Sequence, residues 1–314
     1  MFINATGHYV PTERVPNEKF LELNGLTSEW ILQRTGISTR SKAGEGEGHN
    51  SMGLCAIRSA IEKLPYDVTD VDLVVSASYS PYDTVATLAH IAQREFNLTK
   101  AKAVYASAAC SSFVNGLEII EGYFAMGKAT KALLVCSEHN TYYANETDKV
   151  CGHLWGDAAV AFFLSKDKVA DSDMIVKSVY THGLGHIGKG PEGVRLRPHE
   201  DGIAMPFGKD VFMHACKNIV HGLEEVTSAN GMQVNDLDYI ICHQANMRIV
   251  ANVASTLGMD DSHFLNNIQE LGNTGSASSA LVFSQNLDKF KKGQHVGLSV
   301  FGGGYSVGAF LVEI

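Results

Sequence analysis

The sequence predicts an α/β protein built from two copies of one unit packed face to face. Apolar runs of strand length alternate with segments whose apolar residues recur at helical spacing, the pattern of strands covered by helices. The chain also repeats itself. The stretch from Val68 through Asp70, Asp72 and Val74 to Val75 returns as Val234 through Asp236, Asp238 and Ile240 to Ile241. Gly127 with Gly293, and Val135 with Phe301, stand at the same separation of 166 residues. At 314 residues the chain is long enough for a large core in one or two domains.

The elements follow in order. Met1 to Tyr9 reads as a strand closed by Pro11, followed by short helices over 17–23 and 28–33. Met52, Cys55, Ile57, Ile61 and Leu64 fit a buried helix over 51–64. A strand over 71–76, a helix over 87–96 and the end of a buried strand at Ala103 to Tyr105 come next. A turn of small residues, Ala106 to Ala109, then reaches Cys110 and opens into a helix whose Phe113, Leu117, Ile120 and Phe124 share a face. Strands over 132–137 and 158–164 and a polar break at 166–173 end the first copy, so the expected units are 1–168 and 169–314. In the second copy, Tyr239 to Cys242 is a strand that runs straight into a polar turn and a helix, and 297–301 and 307–313 are strands.

Composition excludes several functions. Hydrophobic content of 45% with 19% charged residues is that of an ordinary globular protein. A net charge of −9 argues against a nucleic-acid binder, which needs a basic face. The six cysteines lack CxxC pairing, so reduced thiols are expected and no metal site or disulfide frame. His182 and His186 have ligand-like spacing but no evident third ligand. With no signal peptide and no membrane-length apolar run, the expected location is the cytoplasm.

Four features carry chemistry. Cys110 stands where a small-residue turn opens into a helix, and a helix N-terminus favours thiolate over thiol. It suits a nucleophile that carries an acyl group, although a buried structural thiol is the alternative. His243 lies at a strand's carboxyl end, where α/β folds place chemistry, though it could be a hydrogen-bonded core residue. Asn273 stands between Gly272 and Gly275 in the turn that the repeat equates with the one bearing Cys110, since Ser276 matches Cys110. A cap or left-handed turn residue is its other reading. Gly302, Gly303 and Gly304 after Phe301 can free backbone N–H groups to point at one spot, as an oxyanion hole requires.

Assembled in this order, the motifs resemble those of the β-ketoacyl-acyl carrier protein synthase III family of the thiolase-like superfamily. The resemblance spans the chain: Trp30 to Ile37 with Arg34, Ala108 to Cys110, Gly156-Asp157, His243 to Asn246, Gly272-Asn273 and Phe301 to Gly304. It implies the thiolase fold, duplicated α/β halves in five layers α-β-α-β-α, and a homodimer. It further implies a decarboxylative Claisen condensation of an acyl-CoA primer with a malonyl thioester on acyl carrier protein. Cys110 resembles the acyl-accepting nucleophile, and His243 and Asn273 the pair that holds the malonyl thioester carbonyl. Gly303 with the N–H of Cys110 resembles the oxyanion hole. No cofactor is implied, because coenzyme A and phosphopantetheine thioesters are substrates.

The chain departs from the family pattern in places. Trp30 and Arg34 are present for coenzyme A, and Asn246 for the substrate channel, but a lysine, Lys149, stands where an arginine is expected. Lysine lacks the planar fork that stacks on a base. Arg248 remains for carrier-protein contact, whereas Met213, Ser255 and Thr256 are uncharged. Pro206 to Gly208 replaces the family's Met-x-Gly. Val85 falls where a larger partner-subunit side chain often caps the acyl tunnel, which suggests a roomier primer pocket for branched or medium-chain groups. A non-decarboxylating acyltransferase, a quinolone or polyketide starter synthase, and an acyl- or redox-sensing scaffold remain as alternatives.

Overall fold

The main strands and helices of the computed structural model, which describes residues 1–314, repeat one pattern of connections twice. The strands are β1 (Phe2–Tyr9), β2 (Leu73–Ala77), β3 (Lys102–Ala106), β4 (Lys131–His139), β5 (Asp157–Ser165), β6 (Met174–Gly183), β7 (Tyr239–Cys242), β8 (His295–Gly302) and β9 (Ser306–Glu313). The helices used below are α1 (Ser28–Thr35), α2 (His49–Ile61), α3 (Leu88–Glu95), α4 (Ser112–Ala125), α5 (Gly208–Ser228), α6 (Met247–Leu257) and α7 (Ser278–Gln285).

The first copy orders its strands β1-β5-β4-β2-β3, and the second β6-β9-β8-β7, with Phe264 bridged to Ile240 where β3 has its counterpart. Directions also match. The pairs β2·β3, β2·β4 and β7·β8 are parallel, whereas β4·β5, β5·β1, β8·β9 and β9·β6 are antiparallel. Two residue pairs, Phe2 with Ile175 and Ile3 with Met174, join the copies into one hydrogen-bonded sheet.

Helices α2 and α3 cover the outer face of the first copy, and α5 with α6 the outer face of the second. Helices α4 and α7 lie in the middle and touch strands of both copies. This is the five-layer α-β-α-β-α arrangement. Helix α7 is accordingly buried at every residue from Ser278 to Ser284, and α4 buries Phe113, Val114, Leu117, Ile120 and Phe124 while Glu118 and Glu121 stay exposed. Phe162 of β5 fastens that layer, with its ring 4.9 Å from Phe113 of α4 and 5.8 Å from Phe283 of α7. No helix is long and apolar enough to cross a membrane.

Three results differ from the sequence expectation. Ala103 to Tyr105, expected as a buried strand end, is half-buried because β3 is the sheet's edge in a single chain. The other two are β6 and the 21-residue α5, which lie outside the elements marked by periodicity above and complete the second copy.

Because Phe162 packs on both middle helices, truncating it opens a cavity where the copies meet. Phe162→Ala is expected to lower stability by about 3–5 kcal/mol, read as a lower denaturant midpoint with an unchanged slope. A loss under about 1 kcal/mol would contradict this role.

Candidate active site

The turn after β3 is strained. Ala109 adopts φ of +51°, a left-handed conformation that costs a non-glycine residue about 1 kcal/mol or more. Hydrogen bonds around it hold the strain. The Ser112 N–H donates to the Ala109 carbonyl (3.0 Å), and the Ala108 N–H donates to Ser112 Oγ (2.9 Å). Ser111 Oγ bonds Ser306 Oγ across the chain (2.7 Å). The turn so fixed carries Cys110 to the mouth of α4, with 7% of its surface exposed.

The glycines that end β8 meet this turn. A Cβ on Gly302 would lie 2.9 Å from Ser306 Oγ and 3.0 Å from both the Cys110 and the Ser111 nitrogens, so a larger residue there would push on this turn. The backbone N–H groups of Gly303 and Cys110 both act on Cys110 Sγ. Both favour its thiolate.

His243 extends β7 by one residue, its N–H donating to the Ser299 carbonyl (2.9 Å). Its Nδ1 bonds Ser278 Oγ at 2.8 Å, which leaves Nε2 for the cavity. Ser278 Oγ also accepts from the Gln244 N–H (3.4 Å). With the Ser278 hydroxyl donating to Nδ1, the neutral ring carries its proton on Nε2. Asn273 is held by its backbone against the turn before β5: its N–H donates to Leu154 O (2.8 Å), and its carbonyl accepts from Gly156 N (3.0 Å) and Asn140 Nδ2 (3.2 Å). Its Oδ1 accepts from Gly275 N (3.0 Å), so the amide NH₂ is left as a free donor. Cys110, His243, Asn273 and Gly303 line one cavity of ≈ 680 Å³. Cys110 and Gly303 also line a second, of ≈ 260 Å³, walled by Tyr79, Leu196 and Ile203.

Electrostatics correct one expectation. Burial, followed by the charge of Glu138, pushes the Cys110 thiol up to about 12, against the pull of the N–H groups of Gly303 and Cys110 and of the Tyr79 hydroxyl. The helix tip alone does not make a resting thiolate, because desolvation of a fully enclosed sulfur outweighs it. Burial likewise lowers His243 to about 4, so the ring is neutral at pH 7. Burial raises the Glu138 carboxyl to about 7, opposed by Ser276, Ser80 and Tyr79 donors.

The remaining sequence-expected residues divide. Trp30, Arg34, Asn246 and Arg248 line the larger cavity. The Arg34 guanidinium stands over the Trp30 ring at 5.6 Å. Asn246 spends its side chain on structure, since Oδ1 caps α6 through Arg248 N (2.8 Å) and Nδ2 donates to Arg34 O (3.0 Å). Lys149 and Val85 line neither cavity. Lys149 is exposed beside Gly25, and Val85 is 83% exposed on the loop before α3. His182 is exposed and stacked on Tyr180. Glu138, Ser278 and Tyr79 complete the site without having been singled out. Glu138, an acid closing an apolar strand, was the most visible in sequence.

This arrangement has relatives. Residues 106–183 match the family described as 3-Oxoacyl-[acyl-carrier-protein (ACP)] synthase III, and residues 227–314 match its C-terminal part. The chain is 31% identical to the β-ketoacyl-[acyl-carrier-protein] synthase III of Rhodospirillum centenum, over 99% of this chain and 98% of that protein. The 3-oxoacyl-[acyl-carrier-protein] synthase III structure from Aquifex aeolicus VF5 aligns with a TM-score of 0.92 at 26% identity, covering 100% of this chain and 99% of that one. The priming β-ketosynthase of the R1128 polyketide biosynthetic pathway aligns at 0.89 with 27% identity, covering 99% and 95%. The shared architecture is the thiolase fold.

The neutral ring gives a pH expectation. An unfolded histidine titrates near 6.5, so a folded value of about 4 means that protonation favours unfolding, and His243 removes stability as pH falls from about 6.5 toward 4. NMR of ring-labelled protein, assigned by His243→Gln, should show this ring still neutral at pH 5.5. A midpoint near 6.5 would count against the assignment.

Proposed function

The chain belongs to the 3-oxoacyl-[acyl-carrier-protein] synthase III family of condensing acyltransferases, and from that premise we propose how its own residues divide the reaction. The observation that carries the reading is the convergence of Cys110, His243, Asn273 and Gly303 on one cavity, with the free donors of the imidazole and the amide left for substrate. Residues 1–168 supply the nucleophile and residues 169–314 supply the donors.

In the first step the Cys110 sulfur attacks the carbonyl carbon of an acyl-CoA. The oxyanion rests on the N–H groups of Cys110 and Gly303. The bond to the coenzyme A sulfur breaks, and the thiol proton ends on that departing sulfur. In the second step a malonyl thioester loses CO₂, and the electron pair of the broken C–C bond becomes an enolate. Its oxygen takes hydrogen bonds from His243 Nε2–H and Asn273 Nδ2–H, donors that need no metal or other cofactor. The enolate carbon then attacks the acyl-Cys110 carbonyl. The carbon–sulfur bond breaks, a 3-oxoacyl thioester leaves, and the expelled thiolate takes a proton from water.

Coenzyme A enters past Trp30 and Arg34, and Arg248 meets the carrier protein. A homodimer is supported by the open edge at β3 and by Tyr82, Val85 and Tyr142, which are 75%, 83% and 70% exposed. We place the reaction in the cytoplasm, where these thioesters are made. A starter-synthase role is favoured by one observation: Met213 is uncharged and 52% exposed at the cavity mouth, which weakens the face for an acidic carrier protein.

Incubation with acyl-CoAs and malonyl thioesters on carrier protein or on coenzyme A, followed by mass measurement, tests this. A Cys110 acyl adduct should form, vanish in Cys110→Ala, and give a 3-oxoacyl product on adding malonyl thioester. Asn273→Ala is expected to slow condensation by roughly 10²–10³-fold while leaving self-acylation near wild type. Gly302→Ala, which displaces the Cys110 amide, should slow both steps by at least about 10²-fold. Equal losses in both steps for Asn273→Ala would overturn the assignment of donors.

A further inference from the structure

Tyr79 is not used by the reaction as derived above, yet it lines a cavity that Cys110 also lines, and its hydroxyl is buried. It follows β2 in the segment from Ser78 to Ser80, where its backbone N–H donates to Glu138 Oε1 (3.1 Å), which fixes where the ring starts. The side chain reaches into the ≈ 260 Å³ cavity shared with Cys110. On the far side stands Gly275, whose φ is +62°; a Cβ there would come within 2.5 Å of Tyr79 Oη. Glycine at 275 therefore leaves the room that the phenol occupies.

The hydroxyl has no hydrogen-bond partner in the structure, although it is fully shielded from solvent. A buried donor left without an acceptor carries its full desolvation penalty. Asn140 Oδ1 is a second buried atom without a partner, and its side chain faces the same hydroxyl. Its Nδ2 is already engaged with Gly156 O (2.8 Å) and Asn273 O (3.2 Å). A neutral thiol is a weak acceptor, whereas a thiolate is a strong one. While Cys110 is a neutral thiol the Asn140 Oδ1 is the better acceptor within reach of the phenol, and the sulfur becomes the stronger one when Cys110 loses its proton.

We propose that Tyr79 is a further catalytic residue, whose O–H donates to Cys110 Sγ whenever that sulfur carries negative charge. This occurs twice in a cycle, once as the thiolate attacks the primer and once as it is expelled from the acyl-enzyme. The O–H bond stays intact throughout, so no proton is transferred and no co-reactant is needed. Two side chains bear on its charge: Glu138 opposes the thiolate and Tyr79 favours it, while neutral His243 shares only the larger cavity. Malonyl decarboxylation, which leaves the sulfur uncharged, does not involve the phenol.

The proposal rests on Cys110 as the acyl acceptor, and alkylation reads the sulfur directly, so it can fail while that reading stands. Well below the thiol's titration, the iodoacetamide rate at fixed pH tracks the thiolate fraction. Tyr79→Phe, which keeps the ring and its packing, is expected to slow alkylation of Cys110 at pH 8 about tenfold, equivalent to raising the thiol by about one pH unit. Self-acylation should fall by a similar factor, and malonyl decarboxylation in the same preparation should not change. Unchanged decarboxylation and thermal midpoint show that the variant is folded; Tyr79→Met supplies a second variant without the hydroxyl. An alkylation rate equal to wild type in both variants overturns the proposal. So does a loss confined to primers bearing a hydroxyl or keto group, which would make the phenol a specificity group instead.

Discussion

A buried carboxylate ties the two copies of the fold together at the point where they react. Glu138, fully buried at the end of β4, accepts hydrogen bonds from Tyr79 N (3.1 Å), Ser80 N (3.0 Å) and Ser80 Oγ in the first copy, and from Ser276 Oγ in the second. Ser276 is the residue that the repeat equates with Cys110, and it immediately precedes the α7 turn. An uncompensated charge at that depth costs several kcal/mol, so these donors are a condition for placing it there. Even so, burial holds the carboxyl up to about 7. A folded value above the unfolded glutamate's means that the native state binds the proton more tightly, and stability is lost as pH rises from about 4.5 toward 7. The same charge opposes ionisation of Cys110. The carboxylate thus joins the copies at some cost to the reactivity of the neighbouring thiol.

The other polar groups of the site share one economy. Each reactive side chain gives one atom to the protein and keeps the other for substrate. Ser278 holds His243 Nδ1 and leaves Nε2; Gly275 N holds Asn273 Oδ1 and leaves the NH₂. An amide held in this way cannot flip without losing a hydrogen bond, and a ring held at Nδ1 is fixed in its plane. Donors fixed before substrate arrives need no reorganisation as charge develops, which is the source of their effect in a dry cavity. The strained Ala109 turn serves the nucleophile similarly, since four neighbouring hydroxyl and amide contacts hold what the backbone alone would relax.

The order of elements was legible because strands and helices in both copies carry their own periodicity, and the 166-residue offset survives in the structure: α4 begins at Ser112 and α7 at Ser278. Cys110, His243 and Asn273 were visible because each stands where an apolar or small-residue run breaks into a polar turn. What stayed hidden depends on contacts across the chain. Tyr79 reads as one aromatic among serines until Gly275, nearly two hundred positions away, is seen to make room for it. Ser278 is one of several small residues until His243 is placed beside it. The neutrality of the thiol was misread because a helix tip is a local feature whereas desolvation belongs to the whole enclosure. Lys149 and Val85 were placed by resemblance, and neither reaches a cavity within a single chain.

Duplication explains why the reaction needs both copies. One helix tip presents the proposed nucleophile with its own N–H, the Gly303 N–H comes from the residue that follows β8, and both are committed once the acyl group is seated. In the reaction proposed above, the enolate oxygen then needs a second, independent pair of donors from another direction. A second copy of the same turn brings a second helix mouth to that place, and there the equivalent of the nucleophile is Ser276, turned inward to Glu138. Its turn is free to offer Asn273 instead, while the adjoining strand β7 offers His243. The serine that binds the carboxylate is thus what allows the second helix tip to act as a donor site and not as a competing nucleophile.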